Sequence, residues 1–364
     1  MRSTCPRTAL TEIHYYHFLL ELYLHEQLKP LPLPLPLVNS NPMLSSPKLK
    51  MKPKSLSTTM SSVLRPVTLG PGERIGEGDS RVIYNELAET SGLHESVMFQ
   101  EALFPLVKNE VYWQKMYHHQ GEVPRLVCVQ GTISADGTKP VYRHPSDQSI
   151  PLLQFSPTVR LIQKQVESVI GHPVNHVLIQ LYRSGQDYIS EHSDKTLDIV
   201  RGSYIVNVSL GAQRTMKLRT KKSAASSTAS AKETNRHTQL VPLSHASIFV
   251  LGPDTNMRWL HGINADKRPI SERSESEKAY GGERISLTFR HIGTFLDEAE
   301  RTIWGQGACS KRQCDARKVV NGNDAETAKV IQAFGTENQS TFFDWDSIYG
   351  LGFDVLHFTK QAPP

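Results

Sequence analysis

From residue 284 to residue 290 the chain alternates without a break, with Arg284, Ser286, Thr288 and Arg290 on one face of an extended segment and Ile285, Leu287 and Phe289 on the other. That period of two predicts a strand with one face in a core. The other face carries two guanidiniums and two hydroxyls into one space, where two arginine forks could flank a small dicarboxylate. Apolar runs of strand length recur at 177–182, 204–210, 215–219, 246–250 and 259–263, and each reads as a strand. The apolar spacing at 82–119 and 158–170 is that of helices packed on one side of a sheet, the second opening behind Pro157. Residues 223–230, rich in Ser and Ala, and the charged run 268–278 read as flexible insertions.

The two ends break this pattern. Residues 1–66 pass from a short helical pattern through alternating Pro and Leu into a Ser/Lys/Pro run, which predicts a disordered basic, Pro-rich tail. Residues 298–364 hold Trp304, Phe334, Phe342, Phe343, Trp345, Tyr349, Phe353 and Phe358. So much aromatic surface predicts an extension packed on a domain at 67–297.

Charge changes the picture once. The net charge of the 364 residues is +5, yet Lys29, Lys48, Lys50, Lys52, Lys54 and Arg65 alone exceed it. The body is therefore near neutral, which excludes a uniformly basic domain built to attract phosphate. Local patches remain candidates, chiefly Arg214, Lys217, Arg219, Lys221 and Lys222 in an alternating, edge-strand pattern. Cys5, Cys128, Cys309 and Cys314 show no zinc or paired spacing, which fits a reducing intracellular compartment, nucleus or cytoplasm. No run approaches a membrane span, and a monomer is expected.

The candidate chemistry begins at His192-Ser193-Asp194. In an extended segment His192 and Asp194 share a face, and His261 from another strand could complete two imidazoles and one carboxylate around a metal with open positions. With 15 histidines and 36 acidic residues in 364, roughly one or two His-x-Asp/Glu matches arise by chance. The chain contains one, so its meaning depends on the arginine strand.

Together these residues resemble the AlkB-like Fe(II)/2-oxoglutarate-dependent dioxygenases over residues 120–297. The resemblance is carried by Pro124-Arg125, Asn175-x-x-Leu178-x-Gln180-x-Tyr182-x-x-Gly185, His192-x-Asp194, Asn207-Val208-Ser209-Leu210-Gly211, His261 and Arg284-x-Ser286-x-Thr288-x-Arg290. It implies an α+β, mainly β fold: a double-stranded β-helix, or jelly-roll, with flanking N-terminal helices and a C-terminal extension. It also implies Fe(II) on His192, Asp194 and His261, and 2-oxoglutarate held by Tyr182, Gln180, Arg284 and Ser286, with Arg290 near the keto-acid end or the substrate. Dioxygen is the third reactant, and succinate and carbon dioxide are the co-products.

The implied reaction is oxidative demethylation of alkylated DNA or RNA bases. The alternatives are the same chemistry on a protein side chain or small metabolite, and a non-catalytic jelly-roll that binds a ligand. Members that repair bases usually carry an acid just after the metal carboxylate, whereas Lys195-Thr196 stands here. Trp259, Tyr142 and Arg143 are the candidate substrate contacts, the first as a pocket wall and the other two in a covering lid.

Overall fold

The computed structural model describes residues 67–358 apart from 71, 85, 86, 88–92, 119, 120, 146–149 and 223–235. The expected basic tail at 1–66 and the insertion at 223–230 lie outside these residues.

Two sheets carry the architecture. One is seven-stranded, in the order Arg81–Ile83, Ser247–Leu251, Ile205–Gly211, Arg284–Arg290, His176–Tyr182, Leu126–Gly131 and Leu152–Gln154. The other is five-stranded, in the order Val67–Thr68, Thr238–Leu243, Arg214–Thr220, Trp259–Ile263 and Ile189–His192. From His176 to Arg290 the chain passes back and forth between the two, which is the winding of a double-stranded β-helix. The jelly-roll expectation therefore holds.

The alternation at 284–290 works as its period requires. Ile285, Leu287 and Phe289 are fully buried in the larger core with Leu103, Phe104, Val107, Val159, Ile162 and Val166. These last six come from two helices, Leu93–Glu110 and Pro157–Ile170, laid on the outer face of the seven-stranded sheet. The second helix is stopped by Gly171 in the left-handed region at φ 73°, where a side chain would be strained. Its free first-turn donors meet Glu110, whose carboxylate accepts from the amides of Thr158 and Val159.

Three expectations fail. Residues 82–119 are not helical throughout: Arg81–Ile83 pairs with Ser247–Leu251, because its few residues complete a sheet edge rather than a turn of helix. Residues 268–278 form short helices instead of a flexible insertion. A capping box between Ser274 and Glu277 starts one of them, and Arg268 binds both Asp266 and Glu277. The strand at 214–220 is no edge, since it pairs on both sides. Arg214 is buried on the carbonyls of Ser184, Gly185, Asp187 and Asn264, Lys217 and Arg219 bind Glu191, and Lys221 donates to the Glu337 carbonyl. Four of the five basic residues are thus internally engaged, and Lys222 is exposed.

A third sheet joins Lys139–Pro140 to Thr294–Leu296, Thr302–Gly305 and Arg317–Lys318. Beyond it the helix Asp324–Gln339 buries Val330, Ala333, Phe334 and Glu337, one face at helical spacing. That face meets Leu197, Tyr349 and Val355, with Phe343, Trp345, Phe353 and Phe358 around them. Among the described residues no helix is long and apolar enough to cross a membrane.

Candidate active site

The antiparallel pairing of Trp259–Ile263 with Ile189–His192 sets His261 directly opposite His192, and the chain leaves the sheet just after His192 to present Asp194. The two imidazole centroids are 4.5 Å apart. Asp194 Oδ1 lies 3.7 Å from His192 Nε2 and 3.9 Å from His261 Nε2, and the three ligand atoms fall within 4.8 Å of one another. His192 Nδ1 sits 2.8 Å from the Ser190 carbonyl. A proton on Nδ1 satisfies that carbonyl and leaves the Nε2 lone pair for a metal.

Electrostatics favour the ligating forms. Burial pushes His261 down to about 3, helped by His192, so it is neutral near pH 7. Burial lowers His192 as well. Burial opposes ionisation of Asp194, but Arg290, His261 and His192 outweigh it and hold its carboxyl below the ordinary range. Two neutral imidazoles and one carboxylate, with space beside them, form a donor set that fits Fe(II).

Asp194 is held on three sides. Its Oδ2 accepts from Arg290 Nη2 at 2.7 Å and Nε at 3.0 Å. Asn256 accepts from its backbone amide and donates to its carbonyl. Arg290 is thus turned to the metal carboxylate, and it lines both the small cavity and the larger one beside the triad.

Arg284 is the free fork. It is 1% exposed, across from Tyr182 in the strand register. Its Nε donates to Ser209 Oγ at 2.7 Å and its Nη2 to Asn207 Oδ1 at 3.2 Å. Its Nη1 is buried with no partner. Burial lowers this guanidinium to about 10 even with the Tyr182 hydroxyl beside it. A buried, under-compensated cation with one orphaned donor fits a carboxylate.

The cavity in front of Arg284 is about 60 Å³ and also touches Tyr182, Gln180, Asn207, Ser286 and the triad. The Ser286 hydroxyl accepts from Asn207 Nδ2. Asn207 and Ser209 therefore orient the fork. Both stand in the motif at 207–211 but carried no assigned role, because their meaning depends on the neighbouring strand.

On the other side of the triad lies a cavity of about 580 Å³ that reaches His192, Asp194, Tyr142, Lys195, Arg125 and the C-terminal helix at Ile331, Phe334, Gly335 and Asn338. Tyr142 belongs here. Its hydroxyl accepts from the Lys195 amide at 3.1 Å and its ring lies 4.2 Å from the Arg290 guanidinium.

The other two substrate candidates do not belong here. Arg143 is buried on Asp198 and on the carbonyls of Gly307, Phe353 and Val355, so it ties the C-terminal segment down. Trp259 shares a sheet face with His261, but it is packed in the second core with its indole donating to Glu77 at 2.9 Å. Sequence alone also missed the clamp on the loop after Asp194. Glu337 accepts from the Thr196 amide and hydroxyl, and Asn338 Oδ1 accepts from the Ser193 amide and the Lys195 ammonium.

Comparison with known proteins gives a consistent picture. The family model described as the 2OG-Fe(II) oxygenase superfamily matches residues 93–290, more than half of the chain. The DNA oxidative demethylase ALKBH2 of Homo sapiens is 33% identical over 138 residues, covering 37% of this chain and 46% of that protein. The alpha-ketoglutarate-dependent dioxygenase alkB homolog 3 of Homo sapiens is 27% identical over 146 residues, covering 39% of this chain and 45% of that protein. The chain thus spans about half the length of these curated relatives. The solved structure of OsALKBH1 aligns with a TM-score of 0.37 at 12% identity, over 58% of this chain and 96% of that one.

Proposed function

The chain belongs to the 2OG-Fe(II) oxygenase superfamily, and from that premise we propose that it removes alkyl groups oxidatively from nucleic-acid bases inside the cell, in nucleus or cytoplasm. The observation that carries the proposal is the pair of cavities meeting at the triad. A small one ends on the orphaned Nη1 of Arg284, and a large one of about 580 Å³ opens on His192 and Asp194, a size within the range of small-molecule sites. A relative named as a DNA oxidative demethylase supports the choice of substrate.

In this reading His192, Asp194 and His261 hold Fe(II), and Arg284 and Tyr182 take the far carboxylate of 2-oxoglutarate, with Gln180 and Ser286 lining its side. Arg290 is a positioning residue that keeps Asp194 ionised and aimed. Bound iron, 2-oxoglutarate and dioxygen supply the oxidation: one oxygen atom goes to succinate, with loss of carbon dioxide, and the other enters an N–CH3 carbon–hydrogen bond. The resulting N–CH2OH group then loses formaldehyde as its C–N bond breaks and the nitrogen takes the hydroxyl proton. The protein's part is to seat the base in the large cavity with its alkyl group toward the triad.

The test is formaldehyde release from methylated oligonucleotides, single- and double-stranded, by protein supplied with Fe(II) and 2-oxoglutarate. Asp194→Ala is expected to lose bound iron and all turnover. Iron-dependent succinate with no formaldehyde from any methylated base would redirect the chemistry to a protein side chain or metabolite. Absence of both would leave a binding module.

A further inference from the structure

The large cavity has an unbalanced wall. Arg125 is 7% exposed and its Nη1 donates to the Tyr188 carbonyl, while its Nε is buried with no partner. Lys195 is 6% exposed, and its ammonium donates to the Ser193 carbonyl at 2.8 Å and to Asn338 Oδ1 at 3.0 Å. One ammonium hydrogen is left over. Asn338 Oδ1 accepts from the Ser193 amide, the Ser193 hydroxyl and Lys195. Two of those are obligate donors, which fixes the amide orientation and leaves only Nδ2 to face the cavity.

Glu337 and Asp194 favour the charged form of Lys195, but both are already engaged elsewhere. Of the lining residues two are acidic. Glu122 stands in a half-exposed pair with Lys115, and Asp194 turns one oxygen to the imidazoles and the other to Arg290. Glu337 lies behind the loop on Thr196 and Tyr349 and does not line the cavity.

We infer that the wall formed by Arg125, Lys195 and Asn338 selects a neutral alkylated base whose N-alkyl nitrogen is flanked by carbonyl oxygens, as in 3-methylthymine or 3-methyluracil. The inference rests on the base-demethylation reading above and narrows it. Bases alkylated at N1 of adenine or N3 of cytosine carry a positive charge and an amino or imino group, so they bring charge repulsion and a donor against donors. An oxopyrimidine brings acceptors. The same wall assists the last step: as the C–N bond of N–CH2OH breaks, the departing nitrogen's electron pair spreads onto the flanking carbonyl oxygens, which the three donors hold until the nitrogen is protonated.

The experiment uses the full chain and three single-stranded oligonucleotides identical except for one 3-methylthymine, 3-methylcytosine or 1-methyladenine. It reads equilibrium binding by fluorescence anisotropy without 2-oxoglutarate, and formaldehyde release with it. The 3-methylthymine strand is expected to bind about tenfold or more tightly than the other two and to react fastest. Asn338→Asp keeps an oxygen for the same three donors and offers a second one to the cavity, so the preference should shrink or reverse while thermal unfolding stays near wild type. A wild-type preference for the cationic bases overturns the inference and leaves base demethylation standing. An Asn338→Asp variant that folds and keeps the wild-type preference overturns the assignment of the wall. Failure on all three strands removes the underlying reading as well.

Discussion

Replacing Arg284 by Met separates a co-substrate arginine from a structural one. In the unliganded protein Arg284 is buried, and its Nη1 has no partner. Swapping a buried ion pair for packed hydrophobes is often neutral or favourable by about 1–4 kcal/mol, and removing a buried charge that has no acidic partner acts in the same direction. Against that, Ser209 Oγ and Asn207 Oδ1 each lose a donor, at about 1 kcal/mol apiece. Arg284→Met without 2-oxoglutarate should therefore stay within about 2 kcal/mol of wild type. With ligand at 100 times its dissociation constant, wild type gains about 2.7 kcal/mol of stability. Loss of a charge-assisted pair worth about 3 kcal/mol raises that constant roughly 150-fold. At the same concentration the variant would gain only about 0.3 kcal/mol. Urea unfolding with and without 2-oxoglutarate, oxygen excluded and metal held constant, reads both quantities. Equal ligand-linked gains in the two proteins would show that Arg284 does not hold the co-substrate, and a loss above about 4 kcal/mol without ligand would make it a strut.

Three further outcomes follow from the geometry. His261 titrates near 3 when folded and near 6.5 when unfolded, so the unfolded chain takes its proton first as pH falls. Metal-free protein should therefore lose stability from about pH 6.5 down to 3, at up to about 1.4 kcal/mol per pH unit from this group. The difference profile against His261→Gln isolates the effect, and a flat difference would refute a buried neutral imidazole. Arg143→Lys should destabilise by about 3–5 kcal/mol in chemical denaturation, because one ammonium cannot serve Asp198 and three carbonyls. A stable variant with only a raised substrate KM would restore Arg143 to the substrate lid. Glu337→Leu strips the Thr196 and Tyr349 donors of their acceptor and should cost about 3–5 kcal/mol, and wild-type stability in denaturant would contradict the clamp.

What the sequence revealed of the site was what period-two geometry governs. Arg284, Ser286, Thr288 and Arg290 could be placed on one face because strand residues alternate whatever lies beside them, and His192 and Asp194 because two ligands sit in one short segment, whereas Tyr182, on another strand, was implied only by the resemblance. Arg290 was placed on the right face without its carboxylate partner. Its fork meets Asp194 from 96 residues away in sequence, a pairing that alternation along one strand cannot reveal. Arg143, Trp259 and the basic residues from Arg214 to Lys221 were misjudged for a related reason. Residue type suggested exposed, ligand-seeking groups, whereas burial and fixed acceptors had already engaged them.

The same contrast locates the substrate question. The iron and co-substrate side is built from neighbouring strands of the jelly-roll, where register fixes each side chain against its neighbour. The substrate side is assembled from Arg125 ahead of the first jelly-roll strand, the loop at 193–196, and a helix that follows the last strand. No backbone ladder relates these pieces, and they meet the iron side through the side-chain clamp of Glu337 and Asn338 on the loop at 193–196. Lys195 is the joint between the two halves. It follows the metal carboxylate in the chain, yet its ammonium is oriented by Asn338, 143 residues later. A chain that keeps the triad and this clamp while exchanging the cavity-lining Ile331 and Gly335 of that helix should therefore keep the oxidation and change what it oxidises.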